Sequence, residues 1–325
     1  MDGHDELALR FEAQRGRLWA VAHRMLGSAS EADDAVQETW LRLGRVDAGT
    51  VENLPGWLRT VVSRICLDML RARTARREEF VGGPLPEAFE APDDGADPAR
   101  EAERADAVGL ALLVVLDTLT PAERIAFVLH DLFAVPFEDI APVVDRTRTT
   151  AKKLASRARH KVRGTPAVSA VDLAVQRRVV EAFLAAARGG DIGALLAVLD
   201  PDVVRRADPG AVPAGVPTEV RGARAVAAET VLLRRQALHA APALLDGRAG
   251  LVVAPGGRLL LALTVAVDGE RITSYEVIAD PVRLRALDLA VPEGWSGPTG
   301  SEPRREPPGE PRASADRTGR AGGPR

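Results

Sequence analysis

The sequence predicts a multidomain chain: two all-α modules, then an α+β cone, then a disordered tail. Three observations carry this reading. Residues 5–78 and 107–165 place apolar side chains at helical spacing, on either side of an acidic Pro/Gly-rich linker at 79–106. Residues 171–290 change from amphipathic helices to short apolar runs divided by Pro-Gly-Gly and Asp-Gly turn signals. Residues 292–325 are Pro, Gly, Arg and Ser with hardly an apolar side chain, too little to repay the entropy of folding. A chain of 325 residues has room for two or three domains of roughly 100–150 residues each.

Composition narrows the classes. The single cysteine, Cys66, rules out a disulfide framework within the chain and fits a reducing compartment. It lies in the apolar run from Val61 to Leu70, so a packed core position is expected. The N-terminus, MDGHDELALRFE, is acidic and has no apolar signal region. No stretch reaches the ~20 apolar residues a membrane helix needs, so the expectation is a cytoplasmic protein. No His/Cys cluster has metal-ligand spacing, and no cofactor is expected. The formal net charge of -3 hides segregation into basic helices and an acidic middle, so it does not argue against nucleic acid.

In the first module, Leu7, Phe11, Leu18 and Val21 form one helical stripe that ends near Gly27. Ser28 and Ser30 both offer N-cap oxygens, and Ser30 with Asp33 resembles a capping box, for the next helix, Glu31 to Leu43, which turns Ala32, Val36, Trp40 and Leu43 inward. Its other side carries Asp34, Gln37, Glu38 and Leu41. A loop from Arg45 to Pro55, with Asn53, leads to a long helix from Gly56 to about Arg77. There Arg59, Arg64, Arg71, Arg73, Arg76 and Arg77 oppose one acid, Asp68, a surface suited to phosphates.

The second module resumes at Ala107 with an apolar helix. Thr120, Pro121 and Glu123 form a capping box for the helix that follows. Residues 137–163 read as two helices joined by a tight turn, with Pro142 shortening the first. The second is loaded with positive charge, while Ala151, Leu154 or Ala155, Ala158 and Val162 recur on one side. One side packs and the other is free to meet phosphate and base edges, the physical design of a helix-turn-helix. Arg148, Thr149, Thr150, Lys152 and Lys153, near the N-terminus, are candidates for base edges, and Arg157 for phosphate.

The C-terminal segment reads as helices Asp172–Arg188, Asp191–Leu199 and Ala223–Leu238. Strands are expected at Ala243–Leu245, Gly250–Ala254, Arg258–Val267 and Arg271–Val277. A catalytic cone needs an acid or base and an oxyanion donor in one apolar pocket. The candidates, Tyr275, Asp200, Asp246, His239 and Glu276, are scattered, so no enzyme is expected.

The motifs resemble a known family. Glu31-Ala-Asp-Asp-Ala-Val-Gln-Glu-Thr-Trp40 and Trp57-Leu-Arg-Thr-Val-Val-Ser-Arg-Ile-Cys-Leu-Asp68 resemble region 2 of extracytoplasmic-function (ECF) sigma factors of RNA polymerase. Leu119-Thr-Pro-Ala-Glu-Arg-Ile-Ala-Phe-Val-Leu-His-Asp131, followed by Pro136-Phe-Glu-Asp-Ile-Ala141, resembles region 4. Residues 171–290 resemble the SnoaL-like (NTF2-like) extension of one subfamily. The subfamily's Asp-Gly-Gly-Gly-Lys motif is reduced here to Asp208-Pro-Gly210, and its Asn-Pro-Asp-Lys-Leu motif reads Asp280-Pro-Val-Arg-Leu284.

The resemblance implies partners and roles. Core RNA polymerase, through its beta-prime and beta subunits, would be gripped by Asp34, Gln37, Glu38 and Leu41. Promoter DNA would be opened at the −10 element by Asn53, Arg59, Arg64, Arg71 and Arg73, and read at the −35 element by the helix of Arg148 to Arg157. The C-terminal domain would tune activity in cis through Asp280, Pro281, Arg283 and Leu284, or answer to a small molecule. The alternative is a free-standing helix-turn-helix regulator with a ligand-sensing NTF2-like domain. Such a regulator has no need of the docking helix or of Trp57 to Arg77.

Overall fold

The computed structural model describes residues 3–46, 51–79, 107–212 and 216–291. The expectations for residues 80–106 and 292–325, the linker and the tail, lie outside the described residues.

Helices α1 (Gly3–Leu26), α2 (Ala29–Leu43) and α3 (Leu54–Glu79) pack on one another through the anticipated stripes. Phe11, Met25, Leu26, Leu43, Leu58 and Leu67 are fully buried among them. Of the two serines offered as N-cap, Ser28 takes the role and accepts from the Glu31 amide at 3.4 Å, so the helix begins two residues earlier than the apolar periodicity implied and the Ser30–Asp33 box is not used. Cys66 is buried in this core, and burial pushes its thiol up to about 12.

Helix α4 (Ala107–Asp117) is apolar on every side, and Leu110, Ala111 and Leu113 to Leu116 are all buried. A helix of that kind needs cover all round. Helix α5 (Pro121–Phe127) starts with the reciprocal Thr120–Glu123 capping box and ends in a single π-helical turn, Val128–Leu132. Helices α6 (Phe137–Val143) and α7 (Arg148–Arg163) follow, and Ala151, Ala155, Ala158 and Val162 are the buried residues of α7.

The C-terminal domain holds α8 (Ala170–Gly189), α9 (Ile192–Val198), α10 (Ala223–Leu232), α11 (Arg234–Leu238), α12 (Pro281–Ala286) and strands β1 (Leu199–Ala207), β2 (Glu219–Arg221), β3 (Ala240–Leu245), β4 (Arg248–Val253), β5 (Leu261–Asp268), β6 (Arg271–Ile278) and β7 (Leu289–Ala290). The strands form one mixed sheet in the order β2-β1-β6-β5-β4-β3-β7. Only the β1–β6 pair is parallel. Sequence reading missed β1, β2, β7 and α12. The helix expected over 223–238 also breaks near Leu233.

Almost every residue of β3 and β4 is buried. Successive side chains point to opposite faces of a sheet, so both faces are covered. Helix α8 packs against β3, β4 and β5, while α4 packs against β3 and β7. The cover that α4 requires thus comes partly from the C-terminal sheet, which is built into the helical half of the molecule.

Candidate nucleic-acid interface

The helix-turn-helix turn is set by local chemistry. Asp145 takes the left-handed conformation, φ 52°, where a glycine is the easier choice. Aspartate is among the side chains that tolerate it. The Arg146 amide donates to the Ala141 carbonyl at 3.0 Å, closing the 6→1 hydrogen bond of a Schellman motif and ending α6. Thr147 then caps α7, accepting from the Thr150 amide at 3.2 Å, while the two hydroxyls lie 3.0 Å apart. Thr150 is therefore occupied in part by the cap.

Along the rest of α7 the charges divide. Arg148 pairs with Glu138 at 2.9 Å, and both are largely exposed. Thr149, Lys152, Lys153 and Arg157 are exposed, and the three cations have no acidic partner among the described residues. Arg159 instead makes a two-pronged contact with Asp131 at 2.7 and 3.1 Å. That hydrogen bonding raises the guanidinium's pKa against the opposing effect of burial. Lys161 reaches Glu123 at 3.5 Å. The N-terminal half of α7 is open to a ligand, and the C-terminal half holds the module together.

Helix α3 is used differently. Arg59 pairs with Asp139 of α6 at 3.3 Å, and Arg64 donates to the Pro142 carbonyl at 3.0 Å. Arg71 lies 3.7 Å from Asp68 on its own helix. Arg73 turns inward: it donates to the Leu26 carbonyl at 3.2 Å, pairs with Glu31, and lies 3.8 Å from Asp117. Asp117 also pairs at 2.9 Å with Arg124, whose side chain is 3% exposed. The Asn53 Oδ1 accepts from the Gly56 amide at 3.0 Å, so this residue starts α3.

On α2, Asp34, Gln37 and Leu41 are exposed on one side. Glu38 beside them pairs with Arg42 at 2.9 Å. These four residues form a continuous polar face with Leu41 as its apolar member.

In the C-terminal domain the two motif remnants meet. The Asp208 carboxylate accepts from the amides of Ala279 and Asp280, each at 3.0 Å, and pairs with Arg283, which also binds Glu276 at 2.8 Å. Burial pushes this carboxyl up. The two amides and the guanidinium outweigh that, and Asp208 lies below the usual carboxylate range. Asp280 caps α12 by accepting from Val282 and Arg283, both at 2.9 Å. Pro281 opens that helix and Leu284 packs against the core.

The cone interior holds a pair that sequence reading missed. Arg205, 2% exposed, is bound to Glu229 and donates to the Pro217 carbonyl at 3.0 Å. Arg205 is a cation at an inward position of a strand that was itself missed, so no signal marked it. Nearby, Tyr275 lies 3.4 Å from the Thr230 hydroxyl, and burial pushes its phenol up to about 12. The other acids are engaged separately: Asp200 caps the Asp202 amide, Asp246 occupies a left-handed turn, and Glu276 pairs with Arg283.

Residues 11–76 match the Sigma-70 region 2 family and residues 109–162 match Sigma-70, region 4. The chain is 38% identical over 305 residues to the ECF RNA polymerase sigma factor SigJ of Mycobacterium tuberculosis, covering 92% of this chain and 96% of that one. The chain belongs to the ECF sigma factors. It is also 34% identical over 299 residues to the probable ECF sigma factor SigI of the same organism, covering 88% of this chain and 98% of that one. A crystal structure of SigJ aligns over 85% of this chain and 98% of its own, at 33% identity and a TM-score of 0.40. As an alternative sigma factor, the chain works with core RNA polymerase on promoter DNA, with region 2 in α1 to α3 and region 4 in α4 to α7. Among the described residues, no helix is long and apolar enough to cross a membrane.

Proposed function

We propose that this sigma factor reads promoters at two points and carries its regulator on the same chain. Asp34, Gln37, Glu38 and Leu41 of α2 dock on the beta-prime subunit, with the beta subunit meeting region 4. Arg148, Thr149, Lys152, Lys153 and Arg157 of α7 take the −35 element. Arg59, Arg64 and Arg71 of α3 take the −10 strand, with Asn53 shaping the loop before them and Arg73 bracing α3 from behind. The C-terminal domain acts by contact rather than by catalysis, since Arg205 is taken up by Glu229 and Tyr275 by Thr230. The observation that carries this reading is the asymmetry of α7: Lys152, Lys153 and Arg157 face solvent with no acidic partner among the described residues, and Arg148 meets only the exposed Glu138, whereas Arg159 and Lys161 are turned to Asp131 and Glu123.

Run-off transcription with core polymerase tests it, using the full chain and a form ending at Val291. Promoters with intact, −35-scrambled and −10-scrambled elements supply the comparison. Initiation from the intact promoter only is the expected result. Equal transcription from all three templates, or none from any, overturns it. A form ending near Gly164 is a harsher probe, because it strips α4 of part of its cover. Each exposed Leu or Val there would forfeit about 1.5–3 kcal/mol.

A further inference from the structure

The last turn of α7 has a carbonyl that its own helix cannot satisfy. The Val162 oxygen is one of the last four carbonyls of α7, which lack an intrahelical donor, and the residue four positions on, Pro166, has no amide hydrogen to offer. The donor comes from elsewhere: the Val291 amide reaches this oxygen at 2.7 Å. Ala290, beside it, lies against Gly164, which ends α7 at φ 61° and has no room for a Cβ there. On the opposite side the Ala167 amide donates to the Gly247 carbonyl at 2.8 Å. The exit of the DNA-reading helix is therefore gripped between β7 and the β3–β4 turn.

The placement of β7 can be traced back through named contacts. Leu289 and Ala290 pair with Leu245 and Leu244 of β3. Asp288 donates to the Asp246 carboxylate at 2.9 Å, and the Asp246 amide donates back to the Asp288 carbonyl at 2.9 Å. Before Asp288 comes α12, capped by Asp280 and held by Arg283. Both of those residues are fastened to one carboxylate, Asp208, at the far end of β1.

We infer that Asp208 is a positioning residue for promoter reading: its carboxylate holds the 279–283 turn that delivers β7 onto the C-terminal end of α7. This rests on the proposed assignment of α7 to the −35 element. It gives the two motif remnants a mechanical role, as one joint whose output is a backbone hydrogen bond to the recognition helix. The C-terminal domain then acts on region 4 through a wired contact.

The test uses the full-length protein with Asp208→Ala, the milder Asp208→Asn, Arg283→Ala and Arg283→Lys. Two quantities are read: hydrogen exchange at the Val291 amide, and the ratio of transcription from a promoter with an intact −35 element to one with it scrambled. Asp208→Ala is expected to speed Val291 exchange by about tenfold or more through local opening, with exchange in α1 to α3 unchanged. The ratio should fall severalfold, and Arg283→Lys should keep most of what Arg283→Ala loses. Unchanged Val291 exchange in a folded Asp208→Ala or Asp208→Asn variant overturns the inference. So does a loss of transcription that leaves the ratio intact. If the wild-type ratio is already one, the −35 assignment of α7 is what fails, and the exchange measurement still decides the joint.

Discussion

Helices α3 and α7 are both basic and amphipathic, and their sequences suggest the same use. Their surroundings differ. Lys152, Lys153 and Arg157 of α7 project into solvent without an acidic partner among the described residues. On α3, Arg59 and Arg64 are bound to α6, and Arg73 is bound to Glu31 and Asp117. A cationic stripe marks a helix as able to bind phosphate. Whether the charge is available depends on what the rest of the chain places against it. In this arrangement one reader is open, and the other holds the helix-turn-helix with the same guanidinium groups it would offer to DNA.

The largest effect should come from the buried ion pair between α4 and α5 of the second module. Arg124→Ala removes the buried guanidinium beside Asp117 and should cost about 2–3 kcal/mol in denaturant titration. That is somewhat below the roughly 3–5 kcal/mol of a fully buried pair, because Asp117 is partly exposed and lies within reach of Arg73. A loss under about 0.5 kcal/mol would mean that apolar packing alone holds α4 on α5.

Next comes the open reader. Lys152→Ala with Lys153→Ala should weaken promoter binding by the holoenzyme about 10–100-fold and flatten its salt dependence, through the two positive charges removed from the DNA-facing side. Equal slopes for variant and wild type would remove these side chains from the interface.

The occupied reader should respond in the opposite direction. Asp139→Asn releases Arg59 from a partly exposed pair whose strength is at most about 1 kcal/mol. Binding of a single-stranded −10 oligonucleotide should therefore rise, by no more than about fivefold. A fall would show that Asp139 helps to position Arg59 for DNA.

Acid should loosen the joint at Asp208. Its carboxyl is held below the ordinary range in the folded state, so its stabilisation is present above the unfolded carboxylate's pKa and is lost as pH falls through the folded value. The difference in melting temperature between wild type and Asp208→Asn should accordingly shrink toward low pH. The smallest effect belongs to the turn: Asp145→Gly, at φ 52°, should change stability by no more than about 1 kcal/mol, in the favourable direction.

Legibility followed the range of the interactions involved. The Thr120–Glu123 capping box, the buried stripe of α7 and the end of α1 near Gly27 were all readable, because each depends on residues three or four apart. The strands over 240–278 were found with shifted ends, helped by their turn residues. Strand β1 was missed because its longer partner, β6, lies well beyond any local window, and Asp200-Pro201 looked like a terminator. The Asp246-Gly247 turn between β3 and β4 carries the Asp-Gly signature of a hairpin, with φ 50° and 76°, and was the signal left unused.

By itself the sequence determined the family, the two helical modules, their order, and which helices carry cationic faces. Those properties are written in periodicity, caps and charge, which need no knowledge of distant neighbours. Only the tertiary structure decided which cations are free, that Arg73 faces inward, and that Asp208 meets residues 279–283. It also decided that the C-terminal strand supplies the hydrogen bond Pro166 cannot make. Each of these depends on groups far apart in the chain, whose meeting is set by the packing of the whole molecule.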